Sequence, residues 1–346
     1  MARWVKPMPM PTLTPPATKP KPKAFTLPKP ATILPLLVLL VLFWVPQAGV
    51  KDNIITLLFT TFIWTMTSVS WNLLGGFTGQ TSFGFAVFYG LGAYTTGLLI
   101  NAGVNPYFSF AVAAVVAAIA SFLIGLPTFR LRGPYFAIAT IGVTEAVRVI
   151  MSNLKITGGA SGLNIIERRS FLLVEHYYTG LVAVALAIGI SIWIAGSRFG
   201  LALRAIKQDE DAAADVGVNP YTSKLKIHAI AAALTGVAGA IHARNAVFID
   251  PGGGPGGVFA FQTAISILLM PVIGGIGTVW GPVLGGLIFG VVEDQLVVKF
   301  PNVHLLLYGV LLILIILLEP DGLVGLLKKL FRLFRRVPWT FWKSSP

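Results

Sequence analysis

The sequence predicts an all-α, polytopic membrane protein with about ten transmembrane helices. Hydrophobic residues make up 55% of the 346 residues and charged residues only 11%, which inverts the balance of a soluble globular domain. Apolar blocks of about 20 residues, the length that spans a bilayer, recur along the chain between short polar or glycine-rich segments. The chain contains no cysteine, which excludes disulfides, thiolate metal sites and a cysteine nucleophile.

The first thirty residues are rich in proline and lysine. Because such a composition cannot build a core, residues 1–30 are predicted to form a disordered basic arm in the cytosol. The apolar block that follows, residues 31–50, has spanning length. Since a long arm precedes it, we expect an uncleaved anchor rather than a cleaved signal peptide.

Further membrane-length blocks follow at short intervals, and with the first they define a transmembrane domain over residues 31–325, before a basic tail at residues 326–346. The predicted spans are 53–74, 82–100, 107–126, 134–153, 177–195, 228–248, 261–277, 281–298 and 303–318.

Basic residues in the short loops predict the orientation. The arm, the turn with Arg130 and Arg132, the polar segment 197–227 and the tail all carry basic residues, so both termini are predicted to be cytosolic, and ten spans agree with that placement. The segment 154–176 also has basic residues but falls on the outer side. The formal charge of +13 could indicate nucleic-acid binding, but beside spans such tails are typical topology signals and contacts for lipid headgroups; we predict no nucleic-acid partner.

The segment 197–227 is the longest run of mixed charge between two spanning blocks. It is therefore the place where the protein can best meet a soluble partner. The alternative is a solvated loop that only connects two spans, because loops are the usual location of charge in membrane proteins.

The stretch from Gly75 to Gly97 combines small residues with polar ones, and it allows two interpretations. Its glycines can let helices approach closely, or they can break a helix that lines a translocation path with Gln80, Ser82 and Tyr94. The candidate packing glycines here and in a second run are Gly75, Gly76, Gly79, Gly84, Gly274, Gly275 and Gly281.

Glu145 and Arg148 lie three residues apart in a predicted span and so share a helix face. They form either a structural ion pair or a contact with substrate on the path. His228, His242 and His304 are scattered without metal-ligand spacing, so no metal site and no catalytic constellation is predicted. The sequence also lacks the phosphate-binding motif G-x-x-x-x-G-K-[ST]; no cofactor is expected in this chain, and any ATP that drives transport must be hydrolysed by another chain.

Four stretches in this order resemble the inner-membrane permeases of bacterial ABC uptake systems for branched-chain amino acids, the Liv type. They are residues 75–97, RLRGPYFAIATIGVTEAVRVI with TGGASGL (130–150 and 157–163), the segment 197–227, and GGIGTVWGPVLGG (274–286). The resemblance implies an ABC importer permease fold, shared with ribose-type sugar permeases. It also implies a second related permease, two cytosolic ATPase subunits and a periplasmic substrate-binding protein as partners, and a location in the bacterial inner membrane. This chain would not itself be an enzyme.

The same resemblance implies that the segment 197–227 docks an ATPase. Asp211, Ala212 and Ala213 followed by Gly217 are similar to the importer docking pattern E-A-A-x-x-x-G, with Asp215 in the same stretch. Small alanines fit a groove, an acid can meet basic or helix-terminal groups, and glycine ends a helix. The chain departs from the pattern by Asp in place of Glu and by the missing downstream I-x-L-P element.

Other functions remain open at this point. Within the resembled family, urea, short amides, other amino acids and small carboxylic acids are alternative substrates. A stand-alone secondary transporter driven by an ion gradient is a different class, distinguished by whether the purified protein needs ATPase partners. An intramembrane enzyme is disfavoured because no nucleophile-and-base or metal pattern is found.

Overall fold

The computed structural model describes residues 38, 40–166, 173–252 and 257–299, together with residues 303, 306–307, 309–310, 313, 322–326 and 329. Contacts divide the chain into two units, residues 1–42 and residues 43–346. The described residues of the first unit, 38 and 40–42, are helical. The predicted arm, residues 1–30, and the chain end after residue 329 therefore lie outside the described residues.

The second unit is helical throughout its main elements. Its α-helices are α1 (Asp52–Thr78), α2 (Phe85–Asn101), α3 (Pro106–Thr128), α4 (Pro134–Asn153), α5 (Leu173–Gly196), α6 (Arg198–Gln208), α7 (Glu210–Asp215), α8 (Pro220–Asn245), α9 (Phe261–Gly274) and α10 (Trp280–Lys299). Short 3₁₀ turns cover Val45–Ala48, Lys155–Thr157 and Gly159–Ser161. The all-α expectation misses one small feature, an antiparallel pair of two-residue strands, β1 (Leu163–Asn164) and β2 (Phe248–Ile249), with Leu163 opposite Ile249.

Five of these helices, α1, α3, α4, α5 and α8, are long and apolar enough to cross a membrane. The helices α2 and α9 are apolar but have only 17 and 14 residues. At about 1.5 Å per residue, α9 is about 21 Å long, short of the roughly 30 Å hydrocarbon core. The protein is thus a multi-pass helical membrane protein. The count of about ten spans stays a prediction, because part of the predicted span 31–50 and most of the predicted span 303–318 fall outside the described residues.

Two helices begin at an Asn-Pro pair. Asn105 Oδ1 accepts a hydrogen bond from the Tyr107 amide at the start of α3, and Asn219 Oδ1 accepts one from the Thr222 amide at the start of α8. Asparagine caps helix starts well, and proline is favoured at the first helical position. As a result α8 begins at Pro220 and not at residue 228, as the apolar pattern predicts. The polar segment, predicted to extend over 197–227, therefore ends at residue 219, just before the long helix begins.

The central helices are α1 and α8. In their most apolar windows 67% and 61% of the residues are buried, against 22% in α4. Glycines bring the neighbouring helices close: a Cβ atom on Gly92 of α2 would lie 2.0 Å from the Gly236 carbonyl oxygen of α8, and one on Gly286 of α10 would lie 2.5 Å from Thr65 Cα of α1. Small residues at such crossings allow close helix packing.

The bundle has two ends with different contents. At one end, which we call the Asp211 end, α7 lies near the turn after α3, and the ends of α1 and α9 meet. At the other, the Arg244 end, the end of α8 meets the start of α5, and Asn101 Nδ2 donates to the Asn164 carbonyl oxygen over 2.8 Å. The described segments predicted to be cytosolic thus gather at the Asp211 end, and the described part of segment 154–176 lies at the Arg244 end.

Candidate functional site

The segment between α5 and α8 forms two short helices joined by Asp209. Asp209 ends α6, and its Oδ1 accepts hydrogen bonds of 2.9 Å from the amides of Asp211 and Ala212, which starts α7. After α7, Gly217 adopts φ +88° and its amide donates to the Ala214 carbonyl oxygen over 2.9 Å. A left-handed conformation suits glycine and stops a helix sharply. The sequence therefore builds a compact turn and not an open loop.

Buried contacts hold α7 on the bundle. Ala213 is buried, and Glu210 Oε2 lies 2.6 Å from Lys224 Nζ on α8. The Lys224 side chain is only 2% exposed. Because a buried cation needs a paired anion, this contact fixes α7 to the first turns of α8.

Asp211 is engaged by the turn between α3 and α4. Arg132 donates two parallel hydrogen bonds to its carboxylate, NH2 to Oδ1 over 2.9 Å and NH1 to Oδ2 over 3.1 Å. The bonds from Arg132 lower the pKa of Asp211, and the same contact raises the pKa of Arg132. The acid of the docking pattern is therefore already paired within the chain.

The outward face of this turn consists of exposed residues at the end of α7, three with small or apolar side chains and one, Asp215, with a carboxylate. We call it the docking surface, made of Ala212, Asp215, Val216 and Gly217. Val216 is 77% exposed, and among the described residues Asp215 makes no ion pair. Sequence reasoning missed Val216, although an isolated apolar residue beside the helix-ending glycine of a polar segment is a usable signal.

The two glycine runs singled out in the sequence meet at the Asp211 end. A Cβ atom on Gly76 would lie 1.9 Å from Asn72 Oδ1 and 2.8 Å from the Gly277 amide nitrogen. Asn72 makes two hydrogen bonds to the turn between α9 and α10. Its Oδ1 accepts from the Gly277 amide over 2.8 Å, and its Nδ2 donates to the Thr278 carbonyl oxygen over 2.9 Å.

The other candidate packing glycines occupy different settings. A Cβ atom on Gly75 would strike the Trp71 ring at 2.3 Å, and one on Gly274 would lie 1.8 Å from the Gly281 carbonyl oxygen. Gly84 is different, since its nearest neighbour would be at 3.4 Å, an ordinary contact. Gly79, Gly275 and Gly281 lie at the turns that follow α1 and α9 and at the start of α10. Sequence reasoning missed the glycines Gly92, Gly236, Gly239, Gly286 and Gly290 at the helix crossings.

The candidate path residues are not gathered in one place. Gln80 and Ser82 are buried near the Asp211 end, where the Ser82 carbonyl oxygen accepts from Trp71 Nε1 over 2.7 Å. Tyr94 is buried, stacks on Phe259 and donates toward the Ile249 carbonyl oxygen over 3.4 Å.

Glu145 and Arg148 pair with one another, Arg148 Nε donating to Glu145 Oε2 over 2.9 Å, on α4. The Glu145 side chain is 56% exposed. Their pairing within the chain is the structural alternative considered above.

Two cavities with charged lining residues lie elsewhere in the described part of the chain. The larger, about 640 Å³, opens at the Arg244 end; there Glu175 accepts from Tyr107 Oη over 2.7 Å and from Arg244 NH2 over 2.8 Å. The smaller, about 90 Å³, lies between α1, α2, α8, α9 and α10 and is lined by Trp64, Tyr89, His242, Gly257, Val258, Gln262, Thr263, Ser266 and Glu293. None of the five candidate path residues lines either cavity. A charged residue inside an apolar block, such as Arg244, is the sequence signal that points to them.

No group of three His, Asp or Glu side chains within the described residues could hold a metal ion. The segment between α5 and α8 offers helix ends, ion pairs and hydrogen bonds. Such an arrangement can bind a partner and transmit movement.

Comparisons with known proteins agree on one family. The family described as the permease component of branched-chain amino acid transport systems matches residues 53–316. The high-affinity branched-chain amino acid permease LivM of Escherichia coli is 28% identical over 304 residues, covering 79% of this chain and 70% of LivM. The probable LivM permease of Methanocaldococcus jannaschii is 24% identical over 315 residues, covering 76% of this chain and 90% of that protein. The BraD permease of Pseudomonas aeruginosa is 32% identical over 147 residues, 42% of this chain and 46% of BraD. No solved structure matches the chain.

Proposed function

This chain belongs to the family of permease components of branched-chain amino acid transport systems, and we propose that it is the membrane-spanning subunit of an ATP-driven importer. Its cargo in this proposal is branched-chain amino acids, taken up across the bacterial inner membrane. Its partners are a second related permease, two cytosolic ATPase subunits and a periplasmic binding protein. The observation that carries the proposal is the two-helix segment α6–α7. The end of α7 is exposed, while ion pairs and a buried alanine hold α7 on the bundle.

The docking surface has the properties that a coupling contact requires. Val216 offers an exposed apolar side chain and Asp215 an exposed acid, which suit a groove with a basic rim on an ATPase subunit. The base of α7 is tied to α8 through Glu210 and to the α3–α4 turn through Asp211. Movement of α7 is therefore passed both to α8 and to the α3–α4 turn.

The mechanism is alternating access. Binding and hydrolysis of ATP in the partner subunits move α6–α7, and the spans shift between conformations open to either side. This chain supplies no hydrolytic group to that cycle. It supplies the docking surface, the ties to the spans, and the polar cavities between helices.

The orientation follows from the same assignment. The Asp211 end faces the cytosol, where the ATPases are, and the Arg244 end with its 640 Å³ cavity faces the binding protein. Both termini lie in the cytosol, and the basic arm and tail contact anionic lipid headgroups.

The test of docking replaces the exposed Val216 with a charged residue. We expect V216D to abolish co-purification of the ATPase subunits and ATP-dependent leucine uptake in proteoliposomes, because a charge in an apolar contact costs several kcal/mol. The matched control is V247D, since Val247 is 67% exposed at the opposite end of the bundle; it should retain the ATPases.

Two results would contradict the proposal. Equal ATPase co-purification with V216D and with the unchanged protein would show that docking lies elsewhere. Leucine uptake by the purified chain alone, driven by an ion gradient, would make it a secondary transporter.

A further inference from the structure

We infer that Lys207 is the residue that passes movement of α6–α7 to α1 and to the turn between α9 and α10. This inference rests on the proposed function, since it assigns a route for the movement that ATP binding and hydrolysis would impose on the docking surface. The route runs from Lys207 to the end of α1 and on through Asn72.

The first step is the contact between α6 and α1. Lys207 lies in the last turn of α6, two residues before the Asp209 cap of α7, and its Nζ donates to the Gly76 carbonyl oxygen over 2.9 Å. Gly76 lies in the last turn of α1, where carbonyl groups have no partner within the helix and carry partial negative charge. A lysine ammonium is therefore well suited to cap this helix end.

The second step leads to the turn between α9 and α10. Asn72, one turn before Gly76 on α1, binds both the Gly277 amide and the Thr278 carbonyl oxygen of that turn. The same turn also approaches Lys207 itself, because a Cβ atom on Gly277 would lie 2.7 Å from Lys207 Nζ and 2.9 Å from the Gly76 carbonyl oxygen. Lys207, the end of α1 and this turn thus share one site.

The third step concerns how closely the parts fit. A Cβ atom on Gly79, which follows α1 at φ +75°, would be 3.4 Å from Lys207 Cγ. The lysine stem therefore lies along the glycine turn while its amino group reaches the carbonyl. Burial lowers the pKa of Lys207, in accord with an amino group held against protein although the residue as a whole is exposed.

A matched cation on the same helix makes a contact that leads elsewhere. Arg204, one turn before Lys207, donates to the Ala195 carbonyl oxygen at the end of α5 over 3.0 Å. It caps a helix as Lys207 does, but it reaches neither α1 nor the α9–α10 turn. Its replacement controls for loss of a cation and of a helix cap on α6.

The experiment exploits the absence of native cysteine. The variant K207C is purified and treated either with an aminoethylating reagent, which restores a lysine-length amine at position 207 alone, or with a neutral methylating reagent. Each form is assembled with its partners in proteoliposomes, and leucine uptake and ATP hydrolysis are measured together. R204M is carried through the same assay.

We expect K207C and its methylated form to retain the ATPases and to hydrolyse ATP, with uptake per ATP reduced about fivefold or more, in the range of site-to-site coupling. Aminoethylation should restore the ratio, and R204M should keep it. The inference is overturned if K207C keeps the normal ratio, if uptake and hydrolysis fall in proportion, or if the neutral reagent restores coupling as well as the amine. Absence of ATP-dependent uptake in the unchanged complex would instead contradict the proposed function.

Discussion

At the scale of single residues, two acids at the start of α7 form ion pairs within the chain. Glu210 and Asp211 lie in the first turn of α7, where a helix N-terminus favours negative charge. Both also meet cations of other elements, Lys224 and Arg132. These acids therefore position α7, and in the proposed docking it is the neighbouring exposed residues that contact the partner.

A charge-swap experiment separates positioning from direct contact. We expect D211R to weaken ATPase association several-fold because it repels Arg132, and the double variant R132D/D211R to restore it because the pair is rebuilt in reverse. Association is measured by titrating the ATPase subunit onto the detergent-solubilised permease. If Asp211 touches the ATPase directly, the double variant will stay as weak as D211R alone.

At the scale of elements, glycine decides which helix ends can meet. The last turn of α1 and the α9–α10 turn pack so closely that Gly76 and Gly277 have no room for a Cβ atom. Gly84 was grouped with Gly76 in the sequence because both belong to one glycine run. Their surroundings differ. Gly76 packs against the backbone of another segment, whereas Gly84, just before α2, has no neighbour closer than an ordinary contact.

Alanine substitution should therefore separate the two glycines. We expect G76A to lower the free energy of unfolding by about 1–3 kcal/mol, as overpacking does, because the new methyl group strikes Asn72 and the Gly277 amide. G84A should be neutral or stabilising by about 0.4–1 kcal/mol, since its backbone suits alanine. Thermal unfolding in detergent measures both, and equal midpoints for the two variants would contradict the account of this junction.

At the scale of the whole molecule, the bundle separates two chemistries. The Asp211 end carries capped short helices and ion pairs that can receive a partner. The Arg244 end carries a 640 Å³ cavity with the Tyr107, Glu175 and Arg244 cluster. The long helices α1 and α8 run between the two ends through the core.

Single cysteines test the orientation of these ends, again because the chain has none of its own. We expect V216C to be labelled by a membrane-impermeant thiol reagent only from the cytosolic side, and V247C only from the periplasmic side, since both valines are exposed at opposite ends. Labelling of intact cells and of inside-out vesicles distinguishes the sides. Labelling of both residues from one side would overturn the topology.

The sequence by itself determined the class of molecule, the place of the polar segment and the family. Apolar length and basic loops are local properties, so they predict a multi-pass helical protein and the approximate helix positions without knowledge of the fold. Capping by Asn219 is also local, yet the apolar pattern overlooked it and placed the start of α8 too late.

Only the tertiary structure decided which residues act together. Two contacts join residues that are far apart in sequence, Gly76 with Gly277 and Arg132 with Asp211. Each pair meets because the folded helices bring their ends to the same side of the bundle. The pattern of a single helix does not show which neighbour covers it. For this reason the sequence groups Tyr94 with Gln80 and Ser82, although Tyr94 lies apart from them in the structure. Lys207 is the clearest case: in the sequence it is one cation among several in a polar segment, and in the structure its amino group joins α6 to the last turn of α1.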